Sequence, residues 1–153
     1  MDEIDVKLVR LLSENSRATA VELSGKVDLS VPAINKRIAR LQKEGKVRFT
    51  VQVDAEAAGK PITVFILLNL QSISATGKLL DYVASDPDVL ECYAVTGEYD
   101  YILKVCAKDV KALDRKLKLL KQQKGVVKSN TLFSLMENKN SICVLPEEER
   151  ANG

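Results

Sequence analysis

The residues that most clearly suggest a chemical function are a run of cations between residues 29 and 48, which reads LSVPAINKRIARLQKEGKVR. It holds six Lys or Arg residues and only one acid, Glu44. Long cationic side chains on one face can bind phosphate oxygens or the O6 and N7 atoms of guanine. A lone basic helix would more simply be a solvated surface, so the elements around the run must decide between the two interpretations.

Two helices are predicted before this run. Apolar residues at helical spacing, after an acidic start, predict a helix from about residue 2 to residue 15. Thr19 and Glu22 have the spacing of a capping box, which predicts a second, short helix that ends at Asp28. The positions of the second helix that we expect to be buried are Val21, Leu23 and Val27.

The third predicted helix carries the cations. Ser30 is expected to cap it, Pro32 lies in its first turn, where a missing N–H costs nothing, and Gly45 ends it. On a helical wheel the core side holds Ile34, Ile38 and Leu41. The opposite side combines small residues, which allow close approach to a groove, with long cations: Pro32, Ala33, Lys36, Ala39, Arg40 and Lys43.

Two short helices joined by a tight turn, the second one basic, form the helix-turn-helix pattern. The segment KVRFTVQVD that follows is predicted to be a strand, which carries Arg48 and forms a small wing or leads into the next domain. These neighbours favour the DNA-binding interpretation of the cations. The predicted DNA-binding residues are Ser30, Pro32, Ala33, Asn35, Lys36, Arg37, Arg40, Lys43 and Arg48.

The charge balance reverses along the chain. Residues 1–50 carry ten bases against seven acids, whereas residues 54–100 carry two bases against eight acids. The change falls near DAEAAGKP, where Gly59 and Pro61 interrupt any regular pattern. We therefore predict a helix-turn-helix domain over 1–50, a linker strand over 51–60 and a second domain over 61–153.

The second domain shows an internal repeat of strand, helix and strand. ITVFILLNL precedes a helix over about 75–85 and the strand VLECYAVT, and YILKVCA precedes a helix over about 110–123 and the strand VVKSNTLFSL. This βαββαβ order predicts an α+β ferredoxin-like sandwich, with both helices on one face of an antiparallel sheet. A second copy of the chain is expected to cover the other face, and SICVL is a candidate edge strand.

Between the two halves of the repeat lies the loop TGEYDY. Gly97 permits a sharp turn with positive φ, the neighbouring amides can point at an anion, and Glu98 and Asp100 offer carboxylates to an amine. These groups complement the two charges of a free amino acid, although an ordinary hairpin turn needs the same residues for geometry alone. The predicted ligand-binding residues are Thr96, Gly97, Glu98, Tyr99 and Asp100, with Thr131, Leu132 and Ser134 of the last strand as a wall.

Other classes of protein are disfavoured by composition. No run of about 18 apolar residues exists and the N-terminus MDEIDVK is acidic, so neither membrane insertion nor secretion is expected. The three cysteines are widely spaced and His is absent, so we expect reduced thiols, no metal site, no cofactor and a cytoplasmic protein. An enzyme is not expected, because no nucleophile stands beside a base and no phosphate-binding loop is present.

Nearly the whole chain resembles the leucine-responsive and asparagine-regulator (Lrp/AsnC) transcription factors. The resemblance runs from DEIDVKLVRLLSENSRA through LSVPAINKRIARLQKEGKV to VTGEYDYILKV and KGVVKSNTLFSL. It implies an N-terminal domain that binds double-stranded DNA and a C-terminal domain that forms homodimers through its sheet, with dimers assembling to tetramers or octamers. It also implies that a small effector, usually an amino acid, binds between dimers beside the TGEYD loop.

Two residues depart from the family's pattern. The family usually has Gly where Asp28 stands in the turn and Ala where Ser24 stands in the second helix. Asp tolerates the left-handed conformation better than most residues, so the turn is expected to form. Two other functions stay open at this point, namely an effector-independent protein that bends or wraps DNA, and a siroheme-decarboxylase-like enzyme.

Overall fold

The structure, a computed structural model, describes residues 1–147. It divides into two compact units, of which one spans Gln52–Asn138 and the other joins Met1–Val51 to the described residues from Lys139 to Glu147. The predicted second domain ran to residue 153, so residues 139–147 are placed differently. One reason is a hydrogen bond at 2.8 Å, which Arg10 Nη2 donates to the carbonyl oxygen of Pro146. The last six residues of the predicted domain lie outside the described residues.

The first unit contains three helices: α1 (Glu3–Glu14), α2 (Ala20–Val27) and α3 (Val31–Lys43). Their shared core is formed by Leu8, Leu12, Leu23, Val27 and Ile34. The prediction that Val21 is buried is wrong, because this side chain is 69% exposed. Val21 stands two residues before the buried Leu23, and two residues correspond to about 200° around a helix.

The helix ends follow the sequence signals with one exception. Thr19 and Glu22 form the predicted capping box, and Asp28 adopts the left-handed conformation, with φ of 53°, that closes the turn. Ser30 occupies the N-cap position of α3, but its side chain makes no capping hydrogen bond. The residue two positions later is Pro32, which has no N–H, so one of the two usual donors to a cap oxygen is missing.

The strand predicted after α3, including the linker strand over 51–60, is not formed. Residues 47–54 have no strand pairing, and the segment that follows is a hydrogen-bonded turn. The Asp54 side chain accepts from the Ala57 N–H at 2.8 Å, and the Ala58 N–H donates to the Asp54 carbonyl at 2.9 Å. An extended segment becomes a strand only when a neighbouring strand pairs with its N–H and C=O groups, and no strand of the described residues pairs with this segment.

The second unit has the predicted βαββαβ order. Its elements are β1 (Ile62–Leu70), α4 (Thr76–Ser85), β2 (Val89–Ala94), β3 (Tyr101–Ala107), α5 (Val110–Lys121) and β4 (Val126–Phe133). All neighbouring strands are antiparallel, in the order β2-β3-β1-β4. The α+β ferredoxin-like prediction is therefore confirmed. SICVL forms no strand, because this segment belongs to the first unit, whose described elements are all helices.

The sheet presents different residues on its two faces. Val64, Ile66 and Leu68 of β1 pack with the buried leucines of α4 and α5, so both helices lie on this side. The side chains between them in sequence point to the other face, where Leu132 of β4 stands opposite Phe65 of β1. Leu132 is 49% exposed, so part of this second face is open to solvent within one chain.

The chain entering β4 crosses close to the start of α4. Gly125 has a φ of +100°, and a Cβ added at this position would overlap the Cβ of Ala75. The Gly125 carbonyl also accepts a hydrogen bond at 2.7 Å from the Gln71 N–H, at the end of β1. Gly125 is therefore required both for its conformation and for the close approach of two chain segments.

Gly125→Ala should lower the free energy of unfolding by about 1–3 kcal/mol, because the variant strains the backbone and overpacks the contact with Ala75. Urea denaturation of the full chain measures this loss. The matched control is Gly77→Ala in α4, where an added Cβ meets nothing within 4 Å and Ala is the better helix former. Equal stability of the two variants would contradict the assignment.

Candidate nucleic-acid interface and ligand cleft

The outward face of α3 carries exposed cations. Lys36 and Lys43 lie one above the other, two helical turns apart, and neither forms an ion pair with any residue that the structure describes. Ile34 and Leu41 on the opposite side are buried and fix the rotation of the helix. Arg48 is also exposed and unpaired within residues 1–147, but it lies on an extended segment instead of the predicted strand.

Arg37 and Arg40 differ from the two lysines, because both form ion pairs with acids at the start of α1. Arg37 Nη1 lies 2.5 Å from Asp2 Oδ2 and 2.8 Å from Asp5 Oδ1, and Arg40 Nη2 lies 2.5 Å from Asp5 Oδ2. The hydrogen bond from Arg37 holds the pKa of Asp2 below its usual value, and Asp2 in turn raises the pKa of Arg37. Both arginines therefore form ion pairs with acids of their own domain.

Small or neutral residues surround the cations on α3. Pro32 and Asn35 are exposed, Ala33 is partly buried, and Ser30 is exposed at the N-cap. Small side chains next to lysines leave room for a groove to approach the helix. The structure thus brings the predicted DNA-binding residues of α3 onto one region of the surface. Two of them, Arg37 and Arg40, also form ion pairs with acids at the start of α1.

In the second unit the TGEYDY loop is tied to the end of β1. Gly97 has a φ of +116°, as the predicted turn requires. The Leu70 N–H donates to Asp100 Oδ2 at 2.7 Å, and Asn69 Nδ2 donates to the Glu98 carbonyl at 2.8 Å. Asp100 therefore holds the loop in place through one of its two carboxylate oxygens.

The Glu98 carboxylate is engaged by β4. Its Oε1 lies 2.5 Å from Lys128 Nζ, and the same ammonium stands 4.9 Å from the centre of the Tyr99 ring. The hydrogen bond to Glu98 raises the pKa of Lys128, which stays charged. Each of the two carboxylates offered by the loop keeps one oxygen without a donor among the described residues, namely Asp100 Oδ1 and Glu98 Oε2.

A cleft of about 450 Å³ opens beside this loop, on the side of the sheet where α4 begins. It is lined by Leu70, Ser72, Ile73, Thr76, Val95, Asp100 and Tyr101. Asp100 is the single member of the predicted ligand set that lines it. The hydroxyl-bearing residues Ser72 and Thr76 were missed, although the sequence QSISATG carries a signal in its cluster of hydroxyls around an apolar Ile73, which is 92% exposed.

The wall predicted from β4 is not assembled in one chain. Thr131 pairs with Ile66 and Leu132 with Phe65, whereas the loop meets β1 at Leu68 and beyond. Because adjacent residues of a strand point to opposite faces, Thr131 and Leu132 cannot line the same surface. Ser134 lies farther still, where its N–H donates to the Thr63 carbonyl at 3.0 Å.

A helix-turn-helix unit with free cations on its second motif helix, joined to a ferredoxin-like unit with a polar cleft, defines a class of DNA-binding regulators. Residues 1–48 match the model for a winged helix-turn-helix DNA-binding domain, and residues 63–142 match the model for the Lrp/AsnC ligand binding domain. The chain belongs to the Lrp/AsnC family of transcriptional regulators. The resemblance inferred from sequence is thereby confirmed.

Individual relatives align over most of the chain. The HTH-type transcriptional regulator FL11 of Pyrococcus horikoshii is 30% identical over 92% of this chain and 93% of its own length. The glutamate uptake regulatory protein of Zymomonas mobilis is 33% identical over 96% of this chain and 92% of its own length. Both relatives are named as regulators. In this chain, no helix within residues 1–147 is long and apolar enough to cross a membrane.

Solved structures of the family share the fold. A Neisseria meningitidis regulator, NMB0573, in complex with L-Met superposes with a TM-score of 0.86 at 31% identity, over 94% of this chain and 96% of that one. The leucine response regulatory protein LrpA of Mycobacterium tuberculosis gives a TM-score of 0.85 at 26% identity, over 95% of this chain and all of the other. The fold of this chain is therefore that of the family.

Proposed function

We propose that the outward face of α3 binds double-stranded DNA in a sequence-specific way, and that an amino acid bound at the cleft modulates DNA affinity or assembly. The observation that carries the DNA proposal is the pair of unpaired lysines, Lys36 and Lys43, opposite the buried Ile34 and Leu41. Burial fixes which side of α3 is outward, and because Lys36 and Lys43 have no ion-pair partner within residues 1–147, both ammonium groups can bind phosphates and bases. The protein acts in the cytoplasm by binding and not by catalysis.

The cleft suits a small amphipathic ligand. Asp100 Oδ1 can accept a hydrogen bond from an ammonium group, while Ser72 and Thr76 can donate to a carboxylate. Leu70, Ile73 and Val95 provide an apolar wall, so the side chain best accommodated is uncharged and apolar. The L-Met complex of the Neisseria relative supports an amino acid of this kind.

The sheet face that carries Leu132 and Phe65 is proposed to form a homodimer, and dimers are proposed to assemble further to tetramers or octamers. Leu67 and Tyr93 also lie on this face by register, and Tyr93 is 56% exposed. Apolar residues that alternate along neighbouring strands form a continuous surface, whose burial against a second copy is favourable. The cleft and the loop, open in one chain, would then stand near other subunits.

Lys36→Ala should weaken binding to an operator selected from random DNA by about 1–3 kcal/mol if the ammonium meets a base edge. If it meets a phosphate, the logarithmic salt slope should fall by about one unit. Fluorescence anisotropy at several salt concentrations distinguishes the two. Lys7→Ala, which removes an exposed cation from α1, is the control. Wild-type binding by a folded Lys36→Ala, Lys43→Ala double variant would refute the DNA proposal.

Light scattering at micromolar concentration should give a mass at least twice the 16.9 kDa of one chain. Leu132→Glu should reduce this mass, because it would bury a charge in the dimer. Leu119→Glu, at a residue of α5 that is 50% exposed, should leave the mass unchanged. A monomeric wild-type protein would exclude the proposed dimer.

Asp100→Asn should abolish the stabilisation that a bound amino acid gives, because the amide keeps an acceptor for the Leu70 N–H but loses the charge that pairs with the ammonium. A thermal-shift screen of the twenty amino acids first identifies the ligand, which at 100 times its dissociation constant stabilises the wild type by about 2.7 kcal/mol. Glu98 pairs with Lys128 and does not line the cleft, so Glu98→Gln should still be stabilised by the amino acid.

Two outcomes would count against the effector site. If Asp100→Asn responds as the wild type does, the ligand does not use this carboxylate. If none of the amino acids stabilises the wild-type protein, TGEYDY is only a turn, and an effector-independent DNA-architectural role replaces modulation by an amino acid.

A further inference from the structure

Asp5 is the one buried charged residue among residues 1–147, with 1% of its surface exposed. A carboxylate in such a place must be fully paired, since an isolated buried charge costs several kcal/mol. Its partners come from α3, which is the helix proposed to meet DNA. The pairing therefore connects a buried position on α1 with the candidate interface.

Both oxygens of Asp5 are held in defined directions. Oδ1 accepts from Arg37 Nη1 at 2.8 Å, and Oδ2 accepts from Arg40 Nη2 at 2.5 Å. The start of α1 fixes the carboxylate itself, because Asp5 and Asp2 form a reciprocal capping box with N···O distances of 2.8 and 3.2 Å. The capping box thus fixes the Asp5 carboxylate independently of the two arginines.

The two arginines are held to different extents. Arg37 donates from Nη1 to two carboxylates, those of Asp2 and Asp5, and its side chain is 26% exposed. Arg40 uses only Nη2, its side chain is 47% exposed, and its Nη1 and Nε donate to no described residue. The planar guanidinium of Arg40 therefore presents unused donors at the surface in an orientation that Asp5 sets.

We propose that Asp5 is a positioning residue for DNA recognition, which holds the guanidinium of Arg40 ready to donate to a base edge. An arginine fixed in its bound orientation loses less conformational entropy on binding, and two donors in a fixed plane favour guanine over other bases. This inference rests on the proposed DNA-binding face of α3. A purely structural ion pair between α1 and α3 is the alternative.

A positioning role of Asp5 and a general electrostatic effect of its charge predict opposite changes in DNA affinity. Removing a negative charge near a DNA-binding face should strengthen binding to any DNA sequence, because it removes repulsion from phosphates. Loss of a positioning contact should weaken binding to the operator only. The ratio of operator affinity to non-specific affinity therefore separates positioning from general electrostatics and from simple loss of stability.

The test compares Asp5→Asn with Glu3→Gln, which removes the same charge from an exposed residue of α1. Affinities are measured for the operator selected by the wild type and for a scrambled duplex, and folding is checked by thermal denaturation. We expect the specificity ratio of Asp5→Asn to fall by about 10-fold or more, since a well-aligned bidentate contact discriminates at that level. Glu3→Gln should leave the ratio unchanged.

Arg40 provides the second measurement. Arg40→Lys keeps the charge but loses the planar fork, so it should lower the specificity ratio with little change in non-specific binding. In an Arg40→Ala background, Asp5→Asn should cause no further loss of the ratio. Should Asp5→Asn fail to fold, a wild-type ratio in Arg40→Lys would still overturn the proposal.

A folded Asp5→Asn with a wild-type ratio, or Arg40→Lys with a wild-type ratio, would overturn the positioning role. Lys36→Ala distinguishes this failure from failure of the DNA-binding face as a whole. If Lys36→Ala weakens DNA binding while the ratio survives in the Asp5 variant, only the role of Asp5 is rejected. If the α3 lysines have no effect either, the face itself is wrongly assigned.

Discussion

Hydrogen bonds and ion pairs within the protein decide which of its charged groups remain available to ligands. Asp5 is buried, so it takes one donor from each of two arginines of α3. Glu98 is engaged by Lys128, and Asp100 gives one oxygen to the backbone of β1. The groups left to a ligand at the two candidate sites include Lys36 and Lys43 on α3 and Oδ1 of Asp100 beside the cleft.

Elements with strong local patterns were predictable from sequence. ITVFILLNL and YILKVCA coincide with β1 and β3, because a continuous apolar run suits a central strand that is buried on one face and flanked by partners on both edges. The strands predicted after α3 and near the C-terminus failed for a common reason. Their composition permits extension, but a strand also needs a partner edge, and pairing between distant segments is not encoded in local composition.

The candidate sites show the same division between local and distant information. Helical periodicity was sufficient to place Lys36 and Lys43 opposite Ile34 and Leu41. It could not show that Arg37 and Arg40 bind acids more than thirty residues earlier, because that contact depends on how α1 packs against α3. In the second unit the loop residue Asp100 was found, while Ser72 and Thr76 entered the cleft only through the approach of α4 to the end of β1.

In the proposed effector site, Asp100 has two roles, and these limit the kind of ligand that the cleft can bind. One oxygen secures the turn to Leu70, so a ligand can take the other without displacing a contact that the fold requires. A ligand with a single cationic group is favoured, because a second cation would find no free carboxylate among the residues that line the cleft. The remaining lining is hydroxylic or apolar, which admits a carboxylate and an uncharged side chain. Because the fold already uses one oxygen of Asp100, the cleft favours an effector that has one cationic group, a carboxylate and an uncharged side chain.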